Sequence, residues 1–123
     1  MKPTKAPVGA RLKIVLGTET ALGPGKADLL TCIVETGSIA AAGKAMTMSY
    51  RRAWLLVDEM NHMFRQPIVT TAKGGAGGGG GAVLTDFGKD VLARYRHMEK
   101  VTAQAIDGDL QALREALAPK QPT

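Results

Sequence analysis

The sequence predicts a mostly α chain with a small β wing: a winged helix-turn-helix with a long C-terminal dimerisation helix. Three patterns carry that expectation. Two short helical stripes, joined by a serine-capped turn, occupy the middle of the chain. Two short apolar segments flank a glycine run, with seven of the fifteen glycines falling between Gly74 and Gly81. Beyond them, Val91, Tyr95, Met98, Thr102 and Ala105 recur at intervals of 4, 3, 4 and 3, the period of a helix-pairing seam. The expected division is a disordered tail over 1–10, the winged helix-turn-helix over 11–85, the dimerisation and C-terminal helices over 86–118, and a tail over 119–123.

Each element has a local reason. Residues 11–16 alternate polar and apolar through Ile14, which puts Leu12, Ile14 and Leu16 on one face of a half-buried strand. Pro24 stands where a proline can open a helix. Leu29, Leu30, Ile33 and Val34 follow at helical spacing until Gly37, a natural residue for a left-handed helix end. Ser38 can cap a short second helix whose inward residues are Ile39, Ala42 and Ala45 or Met46, the alanines permitting close approach of another helix. After a turn at Met46-Thr47-Met48, Ser49 caps a third helix running to about Phe64, with Ala53, Trp54, Val57, Met60 and Phe64 near one face. Pro67 stops that pattern. Residues 68–71 and 82–84 read as a hairpin whose glycine-rich tip spans 73–81, and Thr85 caps the long helix that Asp107-Gly108 breaks or kinks. Leu110, Leu113 and Leu117 form a last apolar stripe.

Charge is distributed unevenly. Sixteen Lys/Arg against eleven Asp/Glu give +5, and residues 1–52 hold all of it, with eight basic and three acidic residues. Residues 36–57 and 60–85 contain no acid at all. Folded onto one side, they present a purely positive surface, suited to double-stranded DNA; a solvated basic face without a partner is the bland alternative. No apolar run reaches the roughly 18 residues of a membrane span. Residues 1–5 lack the apolar stretch of a signal peptide, and a cytoplasmic protein without a membrane partner is expected.

The third helix carries the candidate DNA contacts. An α-helix fits the major groove and its first turn reaches base edges, which singles out Ser49, Tyr50, Arg51 and Arg52. Arginine pairs bidentately with guanine, but a phosphate contact is equally available to it. Lys44, Arg65, Thr70, Thr71, Lys73, Gly74, Gly75 and Gly77 are the candidates around that helix, several of them on the hairpin beside the sugar-phosphate backbone. Any polyglycine run satisfies the dinucleotide-binding pattern trivially, and here a strand follows where the motif requires a helix. Trp54 is expected to anchor the core beside Ala53 and Val57, and Cys32 to be a buried thiol on the apolar stripe of the first helix. His62 and His97 lack metal-ligand spacing, Asp107-Gly108-Asp109 lacks the rest of a calcium loop, and no nucleophile-base arrangement can be assembled. Neither an enzyme nor a cofactor or metal is expected.

Gly37-Ser38-Ile39, Ser49-Tyr50 with Ala53-Trp54, Glu59-Met60-Asn61, and the run from Gly74 to Gly80 followed by Ala82-Val83-Leu84-Thr85 and Gly88 carry a family likeness. Over residues 10–106 they resemble the N-terminal DNA-binding domain of the molybdate-responsive ModE regulators, itself akin to that of LysR-type regulators. The resemblance implies a homodimer paired through the long helix and the N-terminal strand region, and a bacterial regulator of molybdate uptake or molybdenum-enzyme genes; a repressor is expected, because occluding a promoter needs no further machinery. Thr47 stands where the family commonly has glycine, and Ala76 where a basic residue is common. Such regulators carry a C-terminal oxyanion-binding module; about 17 residues follow position 106, so molybdate is not expected to bind this chain directly. A nonspecific DNA-binding protein, or an interaction module partnering a separate sensor, are the alternatives.

Overall fold

The computed structural model describes residues 9–72 and 81–119. Its elements run β1 (Ile14–Gly17), β2 (Thr20–Leu22), α1 (Pro24–Thr36), α2 (Ile39–Ala45), α3 (Tyr50–Met63), β3 (Val69–Thr71), β4 (Ala82–Leu84), α4 (Asp86–Ala105) and α5 (Asp107–Glu115). No helix among the described residues is long and apolar enough to cross a membrane.

Side-chain caps set the helix starts. The Ser38 hydroxyl accepts from the Ala41 amide at 3.1 Å, Ser49 from the Arg52 amide at 3.1 Å, and Thr85 from the Gly88 amide at 2.8 Å. Each satisfies one of the amides that a helix start leaves without a partner. Pro24 opens α1, and Gly37 closes it in the left-handed conformation (φ 73°), its amide donating to the Ile33 carbonyl at 2.8 Å. Between α2 and α3 the chain turns through Thr47, whose φ of 55° puts a β-branched residue in the left-handed region.

The core gathers Leu29, Leu30 and Ile33 of α1, Ile39 and Ala42 of α2, Ala53, Val57 and Met60 of α3, and Val91 and Tyr95 of α4 around the β3–β4 hairpin. Two glycines permit its closest approaches. A Cβ at Gly43 would lie 2.9 Å from that of Ala53, so α2 and α3 meet almost backbone to backbone. At Gly88 a Cβ would collide with the Ile68 carbonyl. The hairpin is held at both strands. Asn61 of α3 accepts from the Ile68 and Val69 amides at 2.7 and 2.9 Å and donates to the Val69 carbonyl at 3.0 Å. On the other strand, the Ala82 amide donates to the Gly37 carbonyl at 2.9 Å. Arg96 ties α4 to α1 through Asp28 and Thr31, at 2.9 and 2.8 Å.

The winged helix-turn-helix expectation is corrected to five helices and two separate two-stranded antiparallel sheets among the described residues. The N-terminal strand does not stand alone: β1 pairs with β2, Ile14 opposite Leu22, in a second hairpin closed near Gly17. A register shift between Val15 and Gly17 interrupts the side-chain alternation, so Leu16 is exposed while Leu12 and Ile14 stay half-buried. The wing tip, with Lys73, Gly74, Gly75 and Gly77, lies outside the described residues. The long helix is also not a free pairing surface along its whole stripe, because Val91 and Tyr95 are buried within the chain and the Tyr95 hydroxyl donates to the Leu12 carbonyl at 2.7 Å.

Candidate functional site

The Ser49 cap and the Gly43–Ala53 contact fix the angle at which α3 leaves the turn. Ala53, Val57 and Met60 face inward, so Arg51 and Leu55 stand on the opposite, outer side, flanked by Tyr50 and Trp54. Tyr50, Arg51, Trp54, Leu55 and Asp58 line a shallow surface groove of about 500 Å³. Trp54 is therefore not the core anchor the sequence suggested. It is 37% exposed and meets the Tyr50 ring edge-on, with centroids 6.3 Å apart and planes at 82°. The physical reason is the tight α2–α3 crossing, which admits Ala53 and leaves no room for an indole beside it.

The basic candidates are exposed: Lys44 in the last turn of α2, Arg51 and Arg52 in the first turn of α3, and Arg65 beyond its end. None of the four joins an ion pair among the described residues, whereas Lys26, Arg94 and Arg96 all do. A pair of exposed like charges beside a helix start, with no carboxylate in ion-pair contact among the described residues, is electrostatically unfavourable in the free chain and suits a polyanion. The structure brings Ser49, Tyr50, Arg51 and Arg52 together on one turn. It does not bring Arg65 to them, since α3 separates the two by roughly 20 Å at 1.5 Å per residue. Thr70 and Thr71 are exposed on β3, opposite Val83 and Ala82.

Of the remaining seam, Met98 and Thr102 are half-buried, Ala105 is exposed, and Val101 adds an exposed apolar side chain beside them. Burial pushes the Tyr95 phenol above its ordinary range, helped by Glu99. Cys32 is half-buried; burial raises its thiol, and the nearby Glu35 and Asp28 carboxylates add to this. Among the described residues no group of three or more His, Cys, Asp and Glu is placed to hold a metal ion. Sequence reasoning missed two residues, Leu55 and Asp58, that share the groove with Arg51. A readable signal existed: Tyr50 and Trp54 are four apart and both lie off the Ala53–Val57–Met60 stripe.

No protein-family model matches the chain. It is 34% identical over 119 residues to the molybdenum transport protein ModE of Azotobacter vinelandii, covering 88% of this chain and 44% of that protein. It is 39% identical over 97 residues to the molybdenum-pterin-binding protein MopB of Rhodobacter capsulatus, covering 79% and 36%. With the DNA-binding transcriptional dual regulator ModE of Escherichia coli strain K12 it shares 37% over 84 residues, covering 68% and 32%. The chain thus spans less than half the length of these relatives. Their names correct two expectations. The resemblance cannot be confined to the N-terminal DNA-binding domain of ModE regulators, because a molybdenum-pterin-binding protein matches as well, and none of the three names describes a winged helix. The same match overturns the expectation that molybdate does not bind this chain. The relatives of this chain are molybdenum-related proteins, transcriptional regulators among them.

Proposed function

We propose that the chain binds double-stranded DNA sequence-specifically through α3, as part of a molybdenum-related transcriptional regulator. The observation that carries the reading is the set of unpaired basic residues at the first turn of α3, within a stretch of 22 residues, 36–57, that holds no acid. In this reading α3 enters the major groove and Arg51 reaches a base edge or the adjacent phosphate. Lys44, Arg52, Arg65, Thr70 and Thr71 contact the sugar-phosphate backbone, which supplies affinity and register without sequence information. Occupying a promoter represses it with no further machinery. A two-fold operator asks for a second copy, with half-sites roughly 34 Å apart, and the exposed end of α4 around Val101 and Ala105 is the face offered to it.

A second reading is that this chain binds a molybdenum species itself, as supported by the name of the Rhodobacter relative. One experiment tests both. The purified chain is titrated with its own upstream DNA and with a scrambled duplex at about 150 mM salt, with and without molybdate. Selective binding that ignores molybdate supports the first reading alone, and selective binding that molybdate alters supports both. Equal binding to the two duplexes leaves a nonspecific DNA-binding protein. Binding to neither overturns the DNA reading and favours a protein-interaction module.

A further inference from the structure

We propose that Tyr50, Trp54 and Leu55 form an apolar reading strip that recognises thymine C5-methyl groups in the major groove, an inference that rests on the DNA reading above. The strip is exposed: Tyr50 is 57%, Leu55 56% and Trp54 37% accessible, against a core that buries Val57 and Met60 on the same helix to 1%. Nothing else in the described chain covers it. The edge-on contact between the Tyr50 and Trp54 rings holds both aromatics against the helix and limits the rotamer freedom lost on binding.

The surroundings decide which occupant fits. The strip shares one groove with Arg51 and belongs to a stretch of sequence, 36–57, that holds no acid, so an occupant that is anionic overall and apolar at the point of contact fits it. Double-stranded DNA has that combination in one place: phosphates present no apolar atoms to a helix face, and among base edges in the major groove only thymine presents a methyl group. Asp58 lines the far end of the same groove. Its carboxylate repels phosphate there and can accept from an exocyclic amino group, adenine N6 or cytosine N4, which keeps that end of α3 directed at base edges. An arginine-only surface would serve a phosphate contact equally well; an aromatic strip beside the arginine serves base reading.

The sequence supplies its own probe, because Trp54 is the only tryptophan. The full chain is titrated with a duplex selected for tight binding from a random pool, then with the same duplex carrying deoxyuridine in place of thymine, one position at a time. That exchange removes only the methyl group and leaves the protein untouched. At contacted positions affinity should fall about fourfold per methyl lost from an apolar contact, and the Trp54 emission maximum should move on binding. Trp54→Ala and Leu55→Ala should bind the thymine and deoxyuridine duplexes alike. Equal affinity for every deoxyuridine duplex, with Trp54 emission unchanged on a duplex that does bind, overturns the strip and leaves the DNA reading standing. Failure to select any duplex overturns both.

Discussion

Thr47 shows a single residue holding its backbone against its own preference. Its φ of 55° is one that a β-branched side chain rarely adopts, and it occurs at the corner that aims α3. The left-handed conformation costs a non-glycine residue about 1–2 kcal/mol, and a glycine there gives back roughly half of that through its freer unfolded chain. Thr47→Gly is therefore expected to stabilise the chain by about 0.5–1 kcal/mol, read from the midpoint of chemical denaturation. Only the family resemblance pointed at this position beforehand, since glycine is common there and the sequence has threonine. Trp54 was not legible in the same way. Its spacing fits the apolar stripe to within one residue, and only the proximity of Gly43 to Ala53 decides that the indole is turned outward.

At the scale of elements, the helix starts could be read directly because their chemistry is local: Ser38, Ser49 and Thr85 each cap the helix that follows within three residues. The first hairpin could not. β2 is three residues long, and its pairing with β1 through a register shift has no apolar alternation to announce it. The sequence is equally silent about what holds β3 to α3. Asn61 does this by satisfying two backbone amides and one carbonyl at once. Asn61→Ala leaves those partly buried amides without an acceptor, at about 1–3 kcal/mol for each unsatisfied group. Loss of at least about 2 kcal/mol in denaturation, with faster amide exchange at Ile68 and Val69 than elsewhere in the core, is the expected outcome.

Over the whole molecule, Tyr95 links α4 to the segment before β1, across most of the sequence. Burial raises its phenol above the unfolded value, so its contribution is complete below about pH 10 and is lost as the pH climbs through the folded value. Stability measured from pH 8 to pH 11 should fall more steeply for the natural chain than for Tyr95→Phe. That variant gives up about 1 kcal/mol at pH 8 with its hydrogen bond. The stripe containing Tyr95 shows why periodicity alone misleads at this scale: a spacing of 4 and 3 describes a helix packed on its own core as well as one packed on a second copy. The proposed DNA contacts are also tested at this scale. Arg51→Ala is expected to weaken selective DNA binding by about 1–3 kcal/mol, whereas Lys44→Ala should weaken binding to all duplexes alike and lower the slope of log affinity against log salt by about 1. Titrations at several salt concentrations separate the two. Finally, the Gly37 carbonyl grips Ala82 from one side while Asn61 grips β3 from the other. Hairpin and α3 are therefore held at a fixed spacing, like the jaws of a locked calliper. If the chain binds DNA as proposed, a duplex that matches this spacing is met without the chain having to rearrange, and one that does not must itself deform, at a cost set by its own sequence.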